Sequence, residues 1–262
     1  MKIINMKSEQ KKIVVLSGAG ISAESGIQTF RGGNGLWDNV PVEEICSPIG
    51  WAKNPARVTE FYNKRRAQLE EVEPNEAHRI LARLQEDFDV RIITQNVDNL
   101  HERAGSRNVL HLHGELTKVR PLDCYTSKDG YSTEYVQDIG YRPVEMGEVG
   151  GPNLKQLRPH VVFFGESVPN LSKAARLVQQ ADVFLIVGTS MSVYPAAGLY
   201  AYAPDGCDIY MIDPSENPAL TVLGVSLIQK VATTGMAEFE KIMKKQKKGE
   251  LWIRHLPNSL IR

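Results

Sequence analysis

The sequence predicts an α/β fold, with a Rossmann-like parallel sheet and a smaller lobe built from two insertions. Three observations predict it. Short, wholly apolar runs recur at residues 13–16, 90–93, 161–164, 183–187 and 209–212, the pattern of parallel strands buried on both faces. Helical apolar spacing stands between some of these runs, which argues for crossover helices. Two stretches, residues 36–72 and 116–158, break the alternation: the first looks helical and carries no strand, and the second is rich in Gly, Pro, Tyr and charge with no sustained period.

Taken in order, the run at 13–16 is the first strand. After Pro74-Asn75, the residues Ala77, Ile80, Leu81 and Leu84 fall at i, i+3, i+4 and i+7, one face of a helix that leads to the strand at 90–93. After Pro169-Asn170 the spacing recurs at Ala174, Leu177, Val178 and Ala181 before the strand at 183–187. The organisation expected is a main domain from residues 1–35, 86–115 and 159–249, a small lobe from 36–85 and 116–158, and a tail at 250–262 without assignment. Lys244, Lys245, Lys247 and Lys248 read as a solvated helix end.

Composition narrows the function. The 262 residues carry 31 Lys+Arg and 31 Asp+Glu, so no global basic field grips nucleic acid or an anionic membrane. No apolar run approaches the roughly 20 residues of a bilayer span, and the first twelve residues lack a signal core. Neither a nucleic-acid nor a membrane partner is expected, and the chain is expected to be a monomer. Cys46, Cys124 and Cys207 are the three cysteines; they form no Cys-x-x-Cys pair, so a disulfide framework and a four-cysteine zinc site are excluded. Sparse cysteine fits a reducing, cytoplasmic setting.

The first strand runs into Gly18-Ala19-Gly20-Ile21-Ser22-Ala23, a G-x-G-x-x-A fingerprint. In that pattern Gly18 permits a tight turn, Gly20 lets backbone approach a pyrophosphate, and Ala23 lets the next helix pack on the strand, whose N-terminal N–H groups favour an anion. The acidic ribose partner about 20 residues on is missing: Asp38 and Glu43 follow no strand. A Gly-rich segment, 26–33, follows instead, with Phe30 and Arg31, and reads as a loop over a cofactor. A hydride-transferring enzyme is thereby disfavoured. His111 and His113 alternate in Leu-His-Leu-His-Gly and share one face of an extended chain; without thiol or carboxylate partners nearby in sequence, a metal pair is the lesser reading and His111 reads as a satisfied structural histidine.

Five segments now resemble the sirtuin family of NAD-dependent protein deacylases: GAGISAESGIQTFRG at 18–32, TQNVDNLHERAG at 94–105, LHLHGEL at 110–116, RPHVVFFGE at 158–166 and VGTSMSVYPAA at 187–197. The resemblance implies NAD in the cleft between a large domain and a small lobe. It places Gly18, Ala19, Gly20 and Ile21 at the phosphates, and Phe30, Arg31 and Trp37 in the loop covering the nicotinamide ribose. Gln95, Asn96 and Asp98 would line the nicotinamide and ribose pocket, with Gly188, Thr189 and Ser190 continuing the phosphate and ribose site. Asp213, Pro214 and Ser215 would lie near the adenosine ribose, where the family usually has Asn in place of Asp213, and Ala232 near the adenine. His113, the histidine before Gly, would be the catalytic base, assisted by Asn96 and Gln95, since a neutral imidazole accepts a proton near pH 7.

The implied reaction transfers an acyl group from protein lysine to NAD, giving free lysine, nicotinamide and O-acyl-ADP-ribose. An acyl-lysine protein or peptide would add as a strand between residues 160–166 and 192–194, touching Val162, Phe163, Phe164, Gly165, Glu166 and Val193; for at least one of the two phenylalanines a plain core role is the reading. Tyr62 and Arg65, at i and i+3 on one helical face, match the Tyr-x-x-Arg of the class that removes acidic acyl groups, with the small Ala23 leaving room. Arg65 would grip a distal carboxylate and Tyr62 donate its hydroxyl, which implies desuccinylase and demalonylase besides deacetylase activity.

The chain departs from the family where zinc is usual: Pro121 stands at the first zinc cysteine, so no zinc is expected, and Tyr125, Tyr131, Tyr135, Val136 and Tyr141 are expected to form an apolar cluster instead. Gln28 replaces the cofactor loop's usual proline. An NAD glycohydrolase or ADP-ribosyltransferase on the same scaffold, and a non-catalytic NAD-binding module, stay open as alternatives; Tyr62, Arg65 and the set Gln95, Asn96, Asp98 and His113 argue against them.

Overall fold

A computed structural model describes residues 10–29, 41–123, 133–215 and 224–249. In chain order it contains β1 (Lys12–Ser17), α1 (Val42–Ile45), α2 (Pro48–Lys53), α3 (Pro55–Glu71), α4 (Glu76–Leu84), β2 (Asp89–Thr94), α5 (Leu100–Arg103), β3 (Val109–His111), β4 (Gly114–Pro121), β5 (Gln137–Asp138), β6 (Val149–Gly150), β7 (Lys155–Val161), α6 (Leu171–Val178), β8 (Val183–Val187), β9 (Asp208–Ile212), β10 (Ser226–Ile228) and α7 (Ala232–Lys247). Short 3₁₀ turns at Ala19–Ile21, Ala23–Ser25, Thr133–Tyr135 and Ala196–Tyr202 join them.

The main sheet has six strands in the order β10-β9-β8-β1-β2-β3, and every pairing is parallel. The chain winds outward from β1 in one direction and from β8 in the other, so the strand order reverses between those neighbours. That reversal is where open α/β sheets bind ligands, beyond the carboxyl ends of the strands. Alternate residues of β1 explain its unbroken apolar run. Ile13 and Val15 face a core closed by Ile80 and Leu81 of α4 and Met236 and Phe239 of α7, whereas Val14 and Leu16 face one closed by Ala174 and Val178 of α6. Helix α4 starts at Asn75, whose Oδ1 accepts from the Ala77 N–H at 2.9 Å, an N-cap. The sequence groups 76–84 with the first insertion; its apolar face packs on the main sheet.

The second sheet is antiparallel, in the order β5-β4-β7-β6. Here one strand expectation is corrected. The run 161–164 is not a strand of the parallel sheet: β7 ends at Val161 and pairs antiparallel with β4, Arg158 opposite Arg120. Its backbone hydrogen bonds go to β4, and a buried ion-pair group lies along the same strands. Arg120 and Arg158 are 0% and 1% exposed, and Glu166 folds back to meet both at 3.4 and 2.6 Å, so charged residues fill positions that composition assigns to surface. Among the described residues Val119, Val144 and Leu157, with Ile139 against them, form a small apolar group of this lobe. Tyr141 packs elsewhere, beside Leu116 and Phe163; Cys124, Tyr125 and Tyr131 lie outside the described residues.

Helix α3 is stitched to this sheet by polar groups. Arg66, fully buried, donates from Nε to the Leu116 carbonyl at 2.8 Å and from Nη1 to Asn63 Oδ1 at 2.6 Å. Asn63 in turn exchanges two bonds with the backbone of Val144. These contacts fix the face that carries Tyr62 and Arg65.

Candidate active site

Two loops meet at the sheet's reversal point. The Gly18 N–H donates to the Val187 carbonyl at 3.0 Å and the Gly20 N–H to the Gly188 carbonyl at 2.8 Å. Gly188 has φ +64°, and a Cβ there would lie 2.2 Å from the Ile21 nitrogen; a Cβ on Gly20 would lie 2.7 Å from the Gly188 Cα. The close approach that Gly20 permits is therefore to Gly188. No regular helix follows Gly18 but two single 3₁₀ turns, and Ala23 is exposed on the second, so it does not seat a helix on the strand. Ile21 fills the core in its place. Glu24 instead bonds the Thr233 N–H and hydroxyl at 2.9 and 2.7 Å, tying this loop to the start of α7. Ala232 is buried there in the main core.

The loop after β2 comes alongside. Gln95 donates from Nε2 to Thr189 Oγ1 at 3.0 Å, which joins it to the loop after β8. Asn96 donates from Nδ2 to the Gly18 carbonyl and to Ser22 Oγ, both at 3.2 Å. The Ser22 hydroxyl donates to Asp98 Oδ2 at 3.0 Å, and Asp98 Oδ1 accepts from the Leu100 N–H at 3.1 Å. Burial pushes the Asp98 carboxyl above its ordinary range, with these two bonds acting against the shift. Sequence reasoning missed the support behind this network: His101 bonds Ser17 Oγ at 2.9 Å and packs edge-on against His78 at 5.0 Å. Nothing in its local pattern marks it, because the partners come from different elements.

Besides His101 Nδ1, one further atom of this network is buried and unpaired among the described residues. Asn96 is 3% exposed, yet among the described residues its Oδ1 has no hydrogen-bond partner. A buried carbonyl oxygen left unpaired is costly, and its natural complement is a ligand donor. Together with the glycine-locked loops, this fits a carboxamide- and hydroxyl-bearing dinucleotide at the carboxyl ends of β1, β2 and β8.

His113 precedes β4 with its Nδ1 3.0 Å from the Gln95 carbonyl. Burial pushes its pKa below the ordinary histidine value, the carbonyl partly opposing. Its own carbonyl accepts from the Val162 N–H at 2.9 Å, so the histidine and residues 162–166 are one unit. Within that segment the structure separates the predicted side chains. Phe163 is core, stacked on Tyr62 at 5.9 Å and lying under the Arg158 guanidinium at 3.7 Å. Phe164 is 45% exposed. Gly165 turns the chain at φ +89°, and the Glu166 carboxylate is taken by Arg120, Arg158 and the Phe163 N–H. Glu166 therefore shapes this segment from within, and Phe164 is its outward side chain. Val193, half-buried, accepts from the Ala197 N–H at 2.9 Å.

Tyr62 and Arg65 share one side of α3 and differ in surroundings. Tyr62 is buried, and its hydroxyl donates to Cys46 Sγ at 3.2 Å. Arg65, half-buried, lies 4.5 Å over the Phe61 ring, and among the described residues no carboxylate stands against it. Cys46 is the small residue at the tyrosine hydroxyl. Beyond β8, Ser190 Oγ lies 2.7 Å from Ser192 Oγ; beyond β9, Asp213 Oδ1 accepts from the Ser215 N–H at 2.8 Å while Pro214 is exposed. Phe30, Arg31 and Trp37 fall outside the described residues. Among the described residues no cluster of His, Cys, Asp and Glu could hold a metal ion, and no helix is long and apolar enough to cross a membrane.

Known proteins with this sequence and fold complete the description. A profile of the Sir2 family matches residues 18–195. A Bacteroides thetaiotaomicron protein named NAD-dependent protein deacylase is 49% identical over 235 residues, covering 89% of this chain and 98% of that protein. A Helicobacter pylori protein of the same name is 48% identical over 231 residues, covering 87% and 95%. Among solved structures, a Sir2 homologue in complex with NAD superimposes with a TM-score of 0.77 at 39% identity, over 91% of both chains. A mutant Sir2 homologue in complex with ADP-ribose gives 0.80 at 38% identity, over 93% of this chain and 96% of the other.

Proposed function

This chain belongs to the Sir2 family, and from that premise we propose that it is an NAD-dependent protein-lysine deacylase whose catalytic base is His113. The observation that carries the assignment is a juxtaposition: a half-buried imidazole with Nδ1 committed to Gln95 stands between the glycine-locked loops and the segment that carries Phe164. When bound, NAD supplies an electrophilic ribose carbon and becomes the acceptor of the acyl group.

The chain's own residues bind, orient and take a proton. Gly18, Ala19, Gly20 and Ile21 with Gly188, Thr189 and Ser190 would hold the phosphates, largely through backbone. Gln95, Asn96 and Asp98 would hold the nicotinamide end, with Asp213, Pro214, Ser215 and Ala232 toward the adenosine end. His113 receives a ribose hydroxyl proton at Nε2. No nucleophile is required of the protein, so positioning and desolvation carry the remaining rate. The acyl-lysine peptide would lie along Val162 to Gly165 and Val193, with the acyl chain passing Phe164.

We extend the proposal to acidic acyl groups, succinyl and malonyl as well as acetyl. Arg65 supports this, being a cation with no carboxylate partner among the described residues. Tyr62 would add its hydroxyl by exchanging the Cys46 thiol for a substrate oxygen. The proposed main domain is residues 1–35, 86–115 and 159–249 with α4 added to it, and the remaining parts of 36–85 and 116–158 form the small lobe.

The test is mass spectrometry on a panel of acyl-lysine peptides incubated with NAD and either wild type or Arg65→Met. Arg65→Met is expected to lower desuccinylation and demalonylation more than deacetylation. Equal losses on all peptides remove the selectivity reading. Rapid NAD consumption without any peptide points to the glycohydrolase or transferase alternative.

A further inference from the structure

The other histidine of Leu-His-Leu-His-Gly is held as firmly as His113, and its position suggests a part in the reaction. His111 ends β3 and is buried. Its Nδ1 lies 2.9 Å from the Asn96 carbonyl and its Nε2 lies 2.9 Å from Glu102 Oε1 on α5. A carbonyl and a carboxylate only accept, so both ring nitrogens carry hydrogen and the ring is an imidazolium paired with Glu102. Its own backbone is also pinned, since Asn170 Nδ2 donates to the His111 carbonyl at 2.8 Å.

The consequence falls on Asn96, which is fastened at every group but one. Its N–H donates to Thr94 Oγ1 at 3.1 Å, its carbonyl accepts from His111, and its Nδ2 donates to Gly18 and Ser22. Of these groups Oδ1 alone has no partner among the described residues. We propose that Glu102 and His111 are positioning residues for the NAD-dependent reaction: the ring held by Glu102 fixes the Asn96 carbonyl and so aims Asn96 Oδ1 at the nicotinamide end of the bound dinucleotide. The inference rests on the deacylase reading above. It makes His111 the brace of the cofactor loop, while His113, two residues on, is the base. Polar groups behind a binding side chain commonly act this way, since a misplaced hydrogen bond is lost even when the residue that makes it is present.

The charge on His111 is set by its surroundings. Burial works against the imidazolium, but the bond and the charge of Glu102 outweigh it and leave the pKa raised. Glu115 on β4 also favours the charged form, as does Asp98 on the loop, while His101 on α5 and His160 on β7 face it as histidines and Lys118 on β4 acts on Glu102.

The experiment uses the full chain and three substitutions, His111→Leu, His111→Asn and Glu102→Gln, with steady-state kinetics in NAD and in an acetyl-lysine peptide. An Asn amide nitrogen stands where the His Nδ1 stands, so His111→Asn keeps the donor to Asn96 and His111→Leu removes it. His111→Leu is expected to raise the KM for NAD about tenfold while the KM for peptide stays within about twofold. His111→Asn is expected to recover most of that loss. Nitrogen NMR of the wild-type histidine side chains is expected to show His111 protonated at both nitrogens near pH 7, and Glu102→Gln to shift it toward the neutral ring. A neutral His111 in wild type overturns the proposal. So do equal NAD defects in His111→Leu and His111→Asn, or parallel changes in both KM values, which a merely structural role would give. If wild type shows no NAD-dependent deacylation, the functional reading fails, while the NMR signature still reports on the brace.

Discussion

The Nδ1 of His113 lies 3.0 Å from the carbonyl oxygen of Gln95. Because a carbonyl cannot donate, the ring's hydrogen sits on Nδ1 and the lone pair on Nε2. The loop after β2, proposed to hold the nicotinamide end, thus also sets the tautomer of the proposed base, and one displacement would disturb both.

Replacing His113 with Ala is expected to lower deacylation by roughly 10²–10⁴-fold, the usual worth of a general base, without loss of the fold. The sign of the pH effect follows from the lowered pKa. The ring stays neutral to a lower pH than a free histidine, so activity is lost only as pH falls through that lowered value. In the wild-type kcat/KM profile the acidic limb should lie below about pH 6.5. A limb above that value, or near-full activity in His113→Ala, would contradict the assignment.

Gly188→Ala tests the locked loops. The new Cβ would meet the Ile21 nitrogen at 2.2 Å in a left-handed conformation, so both strain and collision oppose it. Gly206→Ala is the control: its φ is +84°, but nothing lies within 4 Å of the added carbon. Both substitutions should destabilise by about 1 kcal/mol or more. Calorimetric titration with NAD should show weakened binding for Gly188→Ala alone, and equal affinities in the two variants would remove the loop contact from the account.

Glu166 is the counter-charge for two buried arginines that face each other across the β4–β7 ladder. Glu166→Gln leaves them without that carboxylate, a change expected to cost about 3–5 kcal/mol, read as a fall in the urea midpoint. A shift equivalent to less than about 0.5 kcal/mol would mean that the pair contributes little.

Buried histidines give a prediction for stability against pH. Burial holds His78 down to about 4 and His160 to about 3, the latter with Arg120 adding to the shift, and His101 well below its ordinary value. Each is neutral when folded and takes up a proton near pH 6.5 when unfolded. The unfolded chain therefore binds more protons between those values, and stability must fall as pH drops from about 6.5 toward 4. Denaturation at a series of pH values should show this slope, reduced in His78→Asn. A flat profile in wild type counts against neutral burial.

Metal analysis of the purified protein should return less than one zinc per chain. Cys46 is enclosed with its pKa raised, chiefly by burial, and its thiol accepts from Tyr62, a poor state for a metal ligand. Stoichiometric zinc would require ligands that this sequence does not offer in pairs.

The sequence alone determined the parts whose causes are local. β1, β2, β8 and β9 are legible because strands covered on both faces must be apolar throughout, and α4 because its cap and its four-residue spacing lie within one short segment. The glycine pattern, the pair Tyr62 and Arg65 and the histidine before Gly114 can be picked out for the same reason: each is a pattern written within a few residues, and the roles proposed for them await the tests above. β3 and β10, three residues each, are too short for any period to register. What remained was decided by partners far along the chain. Gly20 reads as a close approach, but that it approaches Gly188 follows from the sheet order. Tyr62 reads as a donor, but that its hydroxyl goes to Cys46 follows from the packing of α1 and α3. That Arg120 and Arg158 are buried follows only once Gly165 turns Glu166 back to meet them. A buried charge or an unpaired oxygen such as Asn96 Oδ1 has no local signature, because its energy depends on which groups the fold sets within hydrogen-bond reach.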